Sequence, residues 1–291
     1  MFSAEITQNG VRLVQHTLRK PVEIKGIGLH TGKPVLMRVL PAEKDQGRKF
    51  IRTDLIGKPE VKVSWENRLE IPLCTALKIG NDRLLTVEHF LAACQALELD
   101  NLTIEIDGGE LPALDGSALG FYQALLEGDR IEQGELETLK LKETIVINDG
   151  QAFIIAMPAD TLRLSYLFTS NYHNVPDMFY DFVPSKDDFA KELAPARTIA
   201  FREQLNEIRA KGLALGGDES MVVLIDKTGF ANERRFANEV ARHKLLDLLG
   251  DLSLIGEYRL EAHIVAVATG HRHNAELAKK ISLRMFPDRL K

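Results

Sequence analysis

Short alternating runs of apolar and polar residues dominate the first third of the chain, and this pattern predicts β-strands joined by tight turns. Three glycines between Gly26 and Gly32 mark one such turn, because glycine tolerates backbone angles that other residues avoid. The predicted strands of this part cover residues 11–18, 33–40, 50–52, 61–63 and 101–106.

The first apolar stripe at helical spacing follows Thr86, which is predicted to be the N-cap of that helix. Further helices are predicted over 117–126, 187–193, 198–211 and 238–255, and a last one ends near Met285. Strands are predicted over 139–147, 152–157, 162–168, 221–225 and 263–269. Since both halves mix strands and helices, with strands first, we predict the α+β class for each. The sequences of the two halves show no evident repeat.

Residues 127–142 are rich in charge, contain two glycines and have few large apolar side chains, so this stretch is predicted to be a linker. We therefore divide the chain into an N-terminal α+β domain, 1–134, and a C-terminal α+β domain, 135–291. The length of 291 residues fits two domains.

Composition and charge narrow the function classes. Hydrophobic residues make up 45% and charged residues 27%, as in soluble globular proteins, and the net charge of −5 argues against a general nucleic-acid binder. Cys74 and Cys94 are too few for a disulfide scaffold or a zinc finger. Because residues 1–10 lack the apolar segment of a signal peptide and no long apolar run follows, we expect a cytoplasmic protein without stable membrane insertion.

The strongest chemical signal lies in the helix predicted over 238–255. His243, Asp247 and Asp251 are four residues apart and share one face, while leucines cover most of the remaining circumference. This pattern predicts a mostly buried helix with a narrow polar stripe, and buried charges need partners or a metal ion. The alternative is a stripe that faces solvent.

A second signal is Glu88 next to His89 at the start of the first helix. A carboxylate beside a metal-ligating histidine is a familiar hydrolase arrangement, although the pair also suits an ordinary polar first turn. His89, His243 and Asp247 would supply the three ligands that catalytic zinc uses beside an open position. The same donor set also accepts iron or cobalt.

Two further residues stand at predicted helix starts. His271, at a strand-to-helix junction, is able to donate a proton or stabilise an oxyanion; the alternative is a capping or surface histidine. Thr198 is able to donate its hydroxyl to an oxyanion, and its alternative is a plain N-cap.

Seven motifs, in order along nearly the whole chain, resemble the family of UDP-3-O-acyl-N-acetylglucosamine deacetylases, zinc amidases of lipid A synthesis in Gram-negative bacteria. Any one of them is weak, but their order and separation make the resemblance specific. They are Gly26–Gly32, Thr86-Val87-Glu88-His89, the loop 111–117, Ala196-Arg197-Thr198, the glycine-rich 212–217, Arg242-His243-Lys244 with Asp247 and Asp251, and Gly270-His271 with Asn274.

The resemblance implies two domains of similar architecture, each with helices packed on a mainly antiparallel sheet, and an active site between them. It implies one catalytic Zn²⁺ per chain, with His89, His243 and Asp247 as ligands. It implies a small-molecule substrate, an acylated UDP-sugar, whose acetamide is hydrolysed to a free amine and acetate.

The resemblance also implies roles for individual residues. Glu88 would be the general base, and His271 the charged partner of the oxyanion and the leaving amine. Asp251 would orient His271, and Thr198 would donate to the oxyanion. Lys244 would contact the diphosphate. Residues 169–184 would form part of a passage for the acyl chain, and we expect a monomer.

The chain departs from the family pattern at two positions. Ile199 replaces a frequent aromatic residue, and Ala268 replaces a frequent basic residue, for which Arg272 is a candidate substitute. These departures motivate an alternative, a zinc N-deacetylase acting on a different acylated amino sugar. A second alternative is a non-catalytic homologue that binds such ligands, and the complete set of candidate site residues argues against it.

Overall fold

A computed structural model gives the structure of the chain and describes residues 13–286, together with the backbone of 6–7 and 10–11. Most of the segment 1–10, on which the expectation about a signal peptide depends, lies outside the described residues. None of the helices within the described part combines the length and the apolar character that crossing a bilayer requires.

The helices of the described residues fall into two similar pairs, α1 with α2 and α5 with α6, and two additions. They are α1 (Glu88–Ala96), α2 (Leu119–Glu127), α3 (Phe189–Glu192), α4 (Arg202–Ala210), α5 (Glu239–Asp251) and α6 (His271–Met285). Short 3-10 turns cover Trp65–Asn67, Glu219–Met221 and Leu252–Ile255.

The strands of the described residues form two large sheets and several small ones. In the first half they are β1 (Ile6–Thr7), β2 (Gly10–Val11), β3 (Val14–Leu18), β4 (Val22–Ile27), β5 (Pro34–Pro41), β6 (Arg48–Arg52), β7 (Glu60–Lys62), β8 (Arg68–Leu69), β9 (Ala76–Ile79), β10 (Asp82–Leu84), β11 (Leu102–Ile106) and β12 (Arg130–Glu135). In the second half they are β13 (Thr138–Lys140), β14 (Ile145–Asn148), β15 (Phe153–Pro158), β16 (Arg163–Phe168), β17 (Met178–Phe182), β18 (Thr198–Phe201), β19 (Val222–Asp226), β20 (Gly229–Phe230) and β21 (Arg259–Val267).

The two large sheets share one topology, which confirms the α+β class and the similar architecture of the halves. The first sheet has the order β4-β5-β11-β6-β7 and the second β14-β15-β21-β16-β17, with β13 added beside β21. In each, the central strand is antiparallel to one neighbour and parallel to the other. A helix precedes each central strand and another follows it. The same arrangement of one sheet and two helices therefore occurs twice, although the sequences of the two halves show no evident repeat.

Aromatic packing shows how helices cover the first sheet. The Phe90 ring of α1 contacts the Phe50 ring of β6 at a centroid distance of 6.0 Å and the Phe121 ring of α2 at 5.7 Å, both edge to face. All three rings are buried in one core, and α5 and α6 pack on the second sheet in the same manner. The small sheet β18-β19-β20 and helix α4 are the additions that concern the site.

The predicted linker is wrong, because 127–142 contains two paired strands. Strand β12 pairs antiparallel with β3, and β13 pairs parallel with β21. No side chain of β12 is fully buried, so backbone hydrogen bonds rather than an apolar face hold it, and the hydrophobic pattern could not show it. The chain changes from one sheet system to the other between Glu135 and Thr138; the domain division at 134/135 stays a prediction.

Three predicted element boundaries are also wrong. The helix predicted over 198–211 begins only at Arg202, since residues 198–201 form β18 against β19. Thr86 is not the N-cap of α1: its φ is 59°, and its hydroxyl donates instead to the buried carboxylate of Glu110, 3.1 Å away. The strand predicted over 139–147 is divided into β13 and β14.

Helix α1 crosses α5 at Gly250, and this crossing joins the two halves. A Cβ atom at Gly250 would lie 2.1 Å from the carbonyl oxygen of Glu88 and 2.8 Å from its carbonyl carbon. Because these are main-chain atoms, no side-chain rotation would relieve the contact. Glycine at this position therefore lets the N-terminal turn of α1 approach α5.

We expect Gly250→Ala to destabilise the fold by about 3 kcal/mol or more, since the added methyl group would push α1 away from α5. The measurement is the free energy of unfolding in denaturant. Gly270→Ala is the control, because a Cβ there meets nothing within 4 Å, and its cost should stay below about 1 kcal/mol. Equal losses in the two variants would contradict the close-approach explanation.

Candidate active site

Three side chains from the two halves converge where α1 meets α5. His89 is the second residue of α1, and His243 and Asp247 lie one turn apart on α5. Nε2 of His89 lies 3.5 Å from Oδ1 of Asp247, and Nε2 of His243 lies 3.3 Å from the same oxygen. One ligand atom from each residue falls within 4.8 Å of the others, and all three residues are buried.

The histidine rings are held so that their Nε2 atoms face the cluster. Nδ1 of His243 lies 3.1 Å from the carbonyl oxygen of Ala196, so that nitrogen carries the proton and Nε2 keeps its lone pair. The rings of His89 and His243 stand nearly perpendicular, at 83°, with centroids 5.0 Å apart. Burial lowers the pKa of His243 to about 3, which keeps the imidazole neutral, as a metal ligand must be.

Asp247 provides the observation that points most directly to a cation. Its Oδ1 atom is buried and has no hydrogen-bond partner among the described residues, whereas Oδ2 accepts a bond of 3.0 Å from Nζ of Lys244. Burial favours the neutral acid, but the positive charges of Lys244 and His271 hold the pKa of Asp247 well below its ordinary value. An ionised oxygen without a donor, facing two imidazole nitrogens, fits a divalent metal ion.

Glu88, the first residue of α1, lies next to this cluster. Its Oε2 atom accepts the backbone N–H of Thr75 at 3.0 Å, and its Oε1 atom lies 3.7 Å from Nε2 of His271. Burial raises the pKa of Glu88, because the charged form loses hydration. The result is a more basic carboxylate with one oxygen turned toward the histidine.

His271 begins α6 and is paired with Asp251 at the end of α5. Its Nδ1 atom lies 2.9 Å from Oδ2 of Asp251, and its Nε2 atom lies 3.8 Å from Oδ2 of Asp247. Burial alone would lower the pKa of His271, but the carboxylates of Asp251, Asp247 and Glu88 outweigh it and raise the pKa to about 9. The imidazole is therefore cationic at neutral pH and has a proton to donate on Nε2.

A buried ion pair positions Thr198 and the carbonyl group that orients His243. Both the backbone N–H and Nε of Arg197 donate to Oε1 of Glu239, at 3.0 and 2.9 Å. This pair fixes the residues on either side of Arg197. On one side, the Ala196 carbonyl contacts the His243 ring. On the other, the Thr198 N–H donates at 2.8 Å to a carbonyl group in the loop between β11 and α2, which anchors the start of β18.

The structure brings the other candidate residues to the same place. Thr198 and Lys244 both line the cavity that opens in front of the ligand cluster. The ammonium group of Lys244 bonds Asp247, a contact that the sequence did not indicate. Arg272 does not point to an open position, since its guanidinium pairs with Asp149. Arg272 therefore does not replace the basic residue that is frequent in the family at the position of Ala268.

The cavity has a volume of about 420 Å³, and its lining combines the polar cluster with a set of apolar residues that we call the apolar chamber. The chamber is built by β18, α4 and β19, and Ile199 is one of its walls. None of residues 169–184, the segment expected to form part of a passage for an acyl chain, lines this cavity. The larger apolar residues of the lining are Leu29, Leu73, Phe168, Ile199, Phe201, Leu205, Ile208, Val222 and Leu224, and polar side chains of α4 line the same cavity.

Thr75 is the residue of the site that the sequence did not indicate. It is fully buried, its amide bonds Glu88, and its hydroxyl lies 2.5 Å from Oδ1 of Asp251. A single threonine between apolar residues has no periodic or motif signal. Only the fold brings it to residues 13 and 176 positions away in the sequence.

A buried cluster of candidate metal ligands, with a basic carboxylate and a cationic histidine beside it, is typical of one class of protein, the metal-dependent hydrolases. Comparison with known proteins gives the particular family. The family described as UDP-3-O-acyl N-acetylglycosamine deacetylase matches residues 15–282. The chain belongs to this family.

Curated relatives agree with the family match over most of their length. The chain is 39% identical over 274 residues to the UDP-3-O-acyl-N-acetylglucosamine deacetylase of Thermosynechococcus vestitus, covering 94% of this chain and 95% of the relative. It is 33% identical over 270 residues to the protein of the same name from Syntrophus aciditrophicus, covering 92% and 85%. The relative of that name from Helicobacter hepaticus is 35% identical over 270 residues, covering 92% and 89%.

We expect Asp247→Ala to lower the affinity for Zn²⁺ by more than about 100-fold. Removing a residue that only hydrogen-bonds a metal ligand already lowers metal affinity by roughly 10–100-fold, and Asp247 is itself a candidate ligand. The measurement is metal titration of the metal-stripped protein against a chelating dye. Asp160→Ala removes an exposed carboxylate and should bind zinc as the parent does. Unchanged affinity in Asp247→Ala would show that the cluster does not hold the ion.

Proposed function

We propose that this chain is a zinc-dependent N-deacetylase that hydrolyses the acetamide of UDP-3-O-acyl-N-acetylglucosamine to UDP-3-O-acyl-glucosamine and acetate, the committed step of lipid A biosynthesis. The observation that carries the proposal is the meeting of Glu88 and His271 beside the cluster of His89, His243 and Asp247. The names of the relatives support the substrate. We also propose that the chain works as a monomer in the cytoplasm.

The ligands of the proposed ion are His89, His243 and Asp247, one Zn²⁺ per chain. When bound, the ion supplies Lewis acidity to the substrate carbonyl and makes a water molecule acidic enough to react near neutral pH. The unpartnered Oδ1 of Asp247 and the two Nε2 atoms support this assignment.

Glu88 is the proposed general base. Burial raises the pKa of its carboxyl group, which increases its proton affinity, and Oε1 is the oxygen not bonded by Thr75. That oxygen takes a proton from the attacking water. Since Glu88 directly precedes His89 on α1, the base stays next to the ligand cluster.

His271 is the proposed acid, with Asp251 as its orienting partner. The bond from Nδ1 to Asp251 leaves the Nε2–H facing the cluster. There it stabilises the negative charge that develops on the acetamide oxygen and then protonates the leaving amine. The Thr198 hydroxyl, at the cavity wall, donates to the same oxygen.

The two ends of the cavity suit the two ends of the proposed substrate. Lys244, 25% exposed at the polar end, supplies positive charge for the diphosphate. The apolar chamber between β18, α4 and β19 excludes water from the acyl chain. Leu205 and Ile208 project into this chamber from one side of α4.

We expect Glu88→Gln to lower kcat by roughly 10²–10⁴-fold, the range for a lost acid–base group. The amide keeps the shape of the side chain but has little affinity for the proton of water. The measurement is acetate release from UDP-3-O-acyl-N-acetylglucosamine by the zinc-loaded protein, with metal content determined on the same sample. A kcat close to that of the parent, at full metal content, would contradict the role of Glu88. No acetate release by the zinc-loaded parent would contradict the proposed function.

We expect Ile208→Asp to lower kcat/KM for the acylated substrate by roughly tenfold to a hundredfold, because a buried apolar contact is worth about 1.5–3 kcal/mol. Activity on UDP-N-acetylglucosamine without the acyl chain should change much less. Ala210→Asp puts the same charge on an exposed position of α4 and serves as the control. Equal effects on both substrates would contradict an acyl-binding chamber.

A further inference from the structure

Thr75 contacts both halves of the proposed proton-transfer apparatus. The residue directly precedes β9 and is fully buried. Its backbone N–H donates to Oε2 of Glu88 at 3.0 Å. Its hydroxyl oxygen lies 2.5 Å from Oδ1 of Asp251 and 3.2 Å from Nδ1 of His271. One residue therefore touches the proposed base, the proposed acid and the partner of that acid.

We propose that Thr75 is a positioning residue that selects which atoms of Glu88 and His271 take part in proton transfer. This inference rests on the proposed function and deepens it. In this inference, Oε1 of Glu88 and Nε2 of His271 are the atoms that exchange protons with the substrate and water. Thr75 contacts the remaining two atoms, Oε2 of Glu88 and Nδ1 of His271.

The hydroxyl selects the nitrogen of His271. A threonine hydroxyl has one proton, and Oδ1 of Asp251 is an acceptor, so the proton of Thr75 is used in that bond. Toward Nδ1 of His271 the hydroxyl oxygen is then able only to accept, which requires a proton on Nδ1. Oδ2 of Asp251 requires the same proton. Both contacts therefore leave Nε2 as the atom that faces the site.

The backbone of Thr75 selects the oxygen of Glu88. Its N–H occupies Oε2, and its carbonyl oxygen accepts the N–H of Val87 at 3.3 Å. These two bonds tie the start of α1 to the residue before β9 and fix the rotation of the carboxylate. Oε1 is left 3.7 Å from Nε2 of His271, so the proposed base and acid face each other.

If Thr75 had only a structural role, its replacement would change stability but not turnover. A buried threonine whose hydroxyl bonds only backbone groups away from the site affects stability, and its loss would lower the unfolding free energy without altering turnover of the folded protein. Thr17 is such a case in this chain: it is buried, and its hydroxyl donates to the Asn101 carbonyl at 2.6 Å and accepts the Ala42 N–H at 3.0 Å. It provides the matched control.

The test compares Thr75→Val, which removes the hydroxyl at constant shape, with Thr75→Ser, which keeps it, and with Thr17→Val. With zinc-loaded protein and UDP-3-O-acyl-N-acetylglucosamine, we expect Thr75→Val to lower kcat by roughly 10–100-fold, as misplacement of a catalytic group does, with little change in KM or metal content. Thr75→Ser should stay within about threefold of the parent, and Thr17→Val should lower the melting temperature while its kcat stays near that of the parent.

A spectroscopic readout separates this inference from the proposed function, because it needs no substrate. The Nδ1 proton of His271 should give a downfield proton resonance that is absent in His271→Ala. Thr75→Val should shift that resonance, and Thr75→Ser should retain it. If Thr75→Val does not fold, Thr75→Ala takes its place in both measurements.

Three results would overturn the role of Thr75. The first is a folded Thr75→Val with the kcat and the resonance of the parent. The second is a loss in Thr75→Ser as large as that in Thr75→Val. The third is a loss of activity explained by lost metal. An inactive parent with a resonance that depends on Thr75 would instead refute the proposed function and leave the positioning contact in place.

Discussion

Glu88 and His89 reach the second half of the molecule because Gly250 has no side chain. The main chain of α1 occupies the space in which any other type of residue at position 250 of α5 would place its Cβ atom. The site depends on this crossing, since α1 supplies the proposed base and one candidate ligand, and α5 supplies the other two ligands. The same approach lets Asp251, one residue further along α5, meet Thr75 from the first half.

The crossing also concentrates charge where water is excluded. Glu88, Asp247 and Asp251 lie together with His89 and His243 in a buried volume, and ionised groups there need partners. Asp251 has its partners in the protein, whereas Oδ1 of Asp247 has none among the described residues. The cluster therefore presents a buried carboxylate oxygen beside two imidazole nitrogens, which is the physical basis for proposing that it holds a metal ion.

The sequence is most informative where a residue's chemistry conflicts with its surroundings. The acids and histidine of α5 stand out against leucines, and the structure places His243 and Asp247 side by side, as their spacing indicates, with His89 next to them. The structure also confirms the α+β class. This class could be predicted because the apolar periods of most strands and helices are clear in the sequence. The catalytic roles stay proposals, and so does the domain division.

The sequence is least informative where backbone contacts decide the structure. Strand β12 has no fully buried side chain, so its pairing with β3 leaves no apolar pattern, and the stretch has the composition of a linker. Thr86 resembles an N-cap, but Glu110, distant in sequence, accepts its hydroxyl. Thr75 acts through an amide and a hydroxyl whose partners only the folded chain brings near.

The most direct measurement is anomalous X-ray diffraction at the zinc edge from crystals of the metal-loaded protein. The account predicts one strong peak per chain, bounded by Nε2 of His89, Nε2 of His243 and Oδ1 of Asp247, at the ligand distances of about 2.0–2.2 Å that zinc adopts. A peak elsewhere, or a fully loaded crystal without density between these three atoms, would contradict the account.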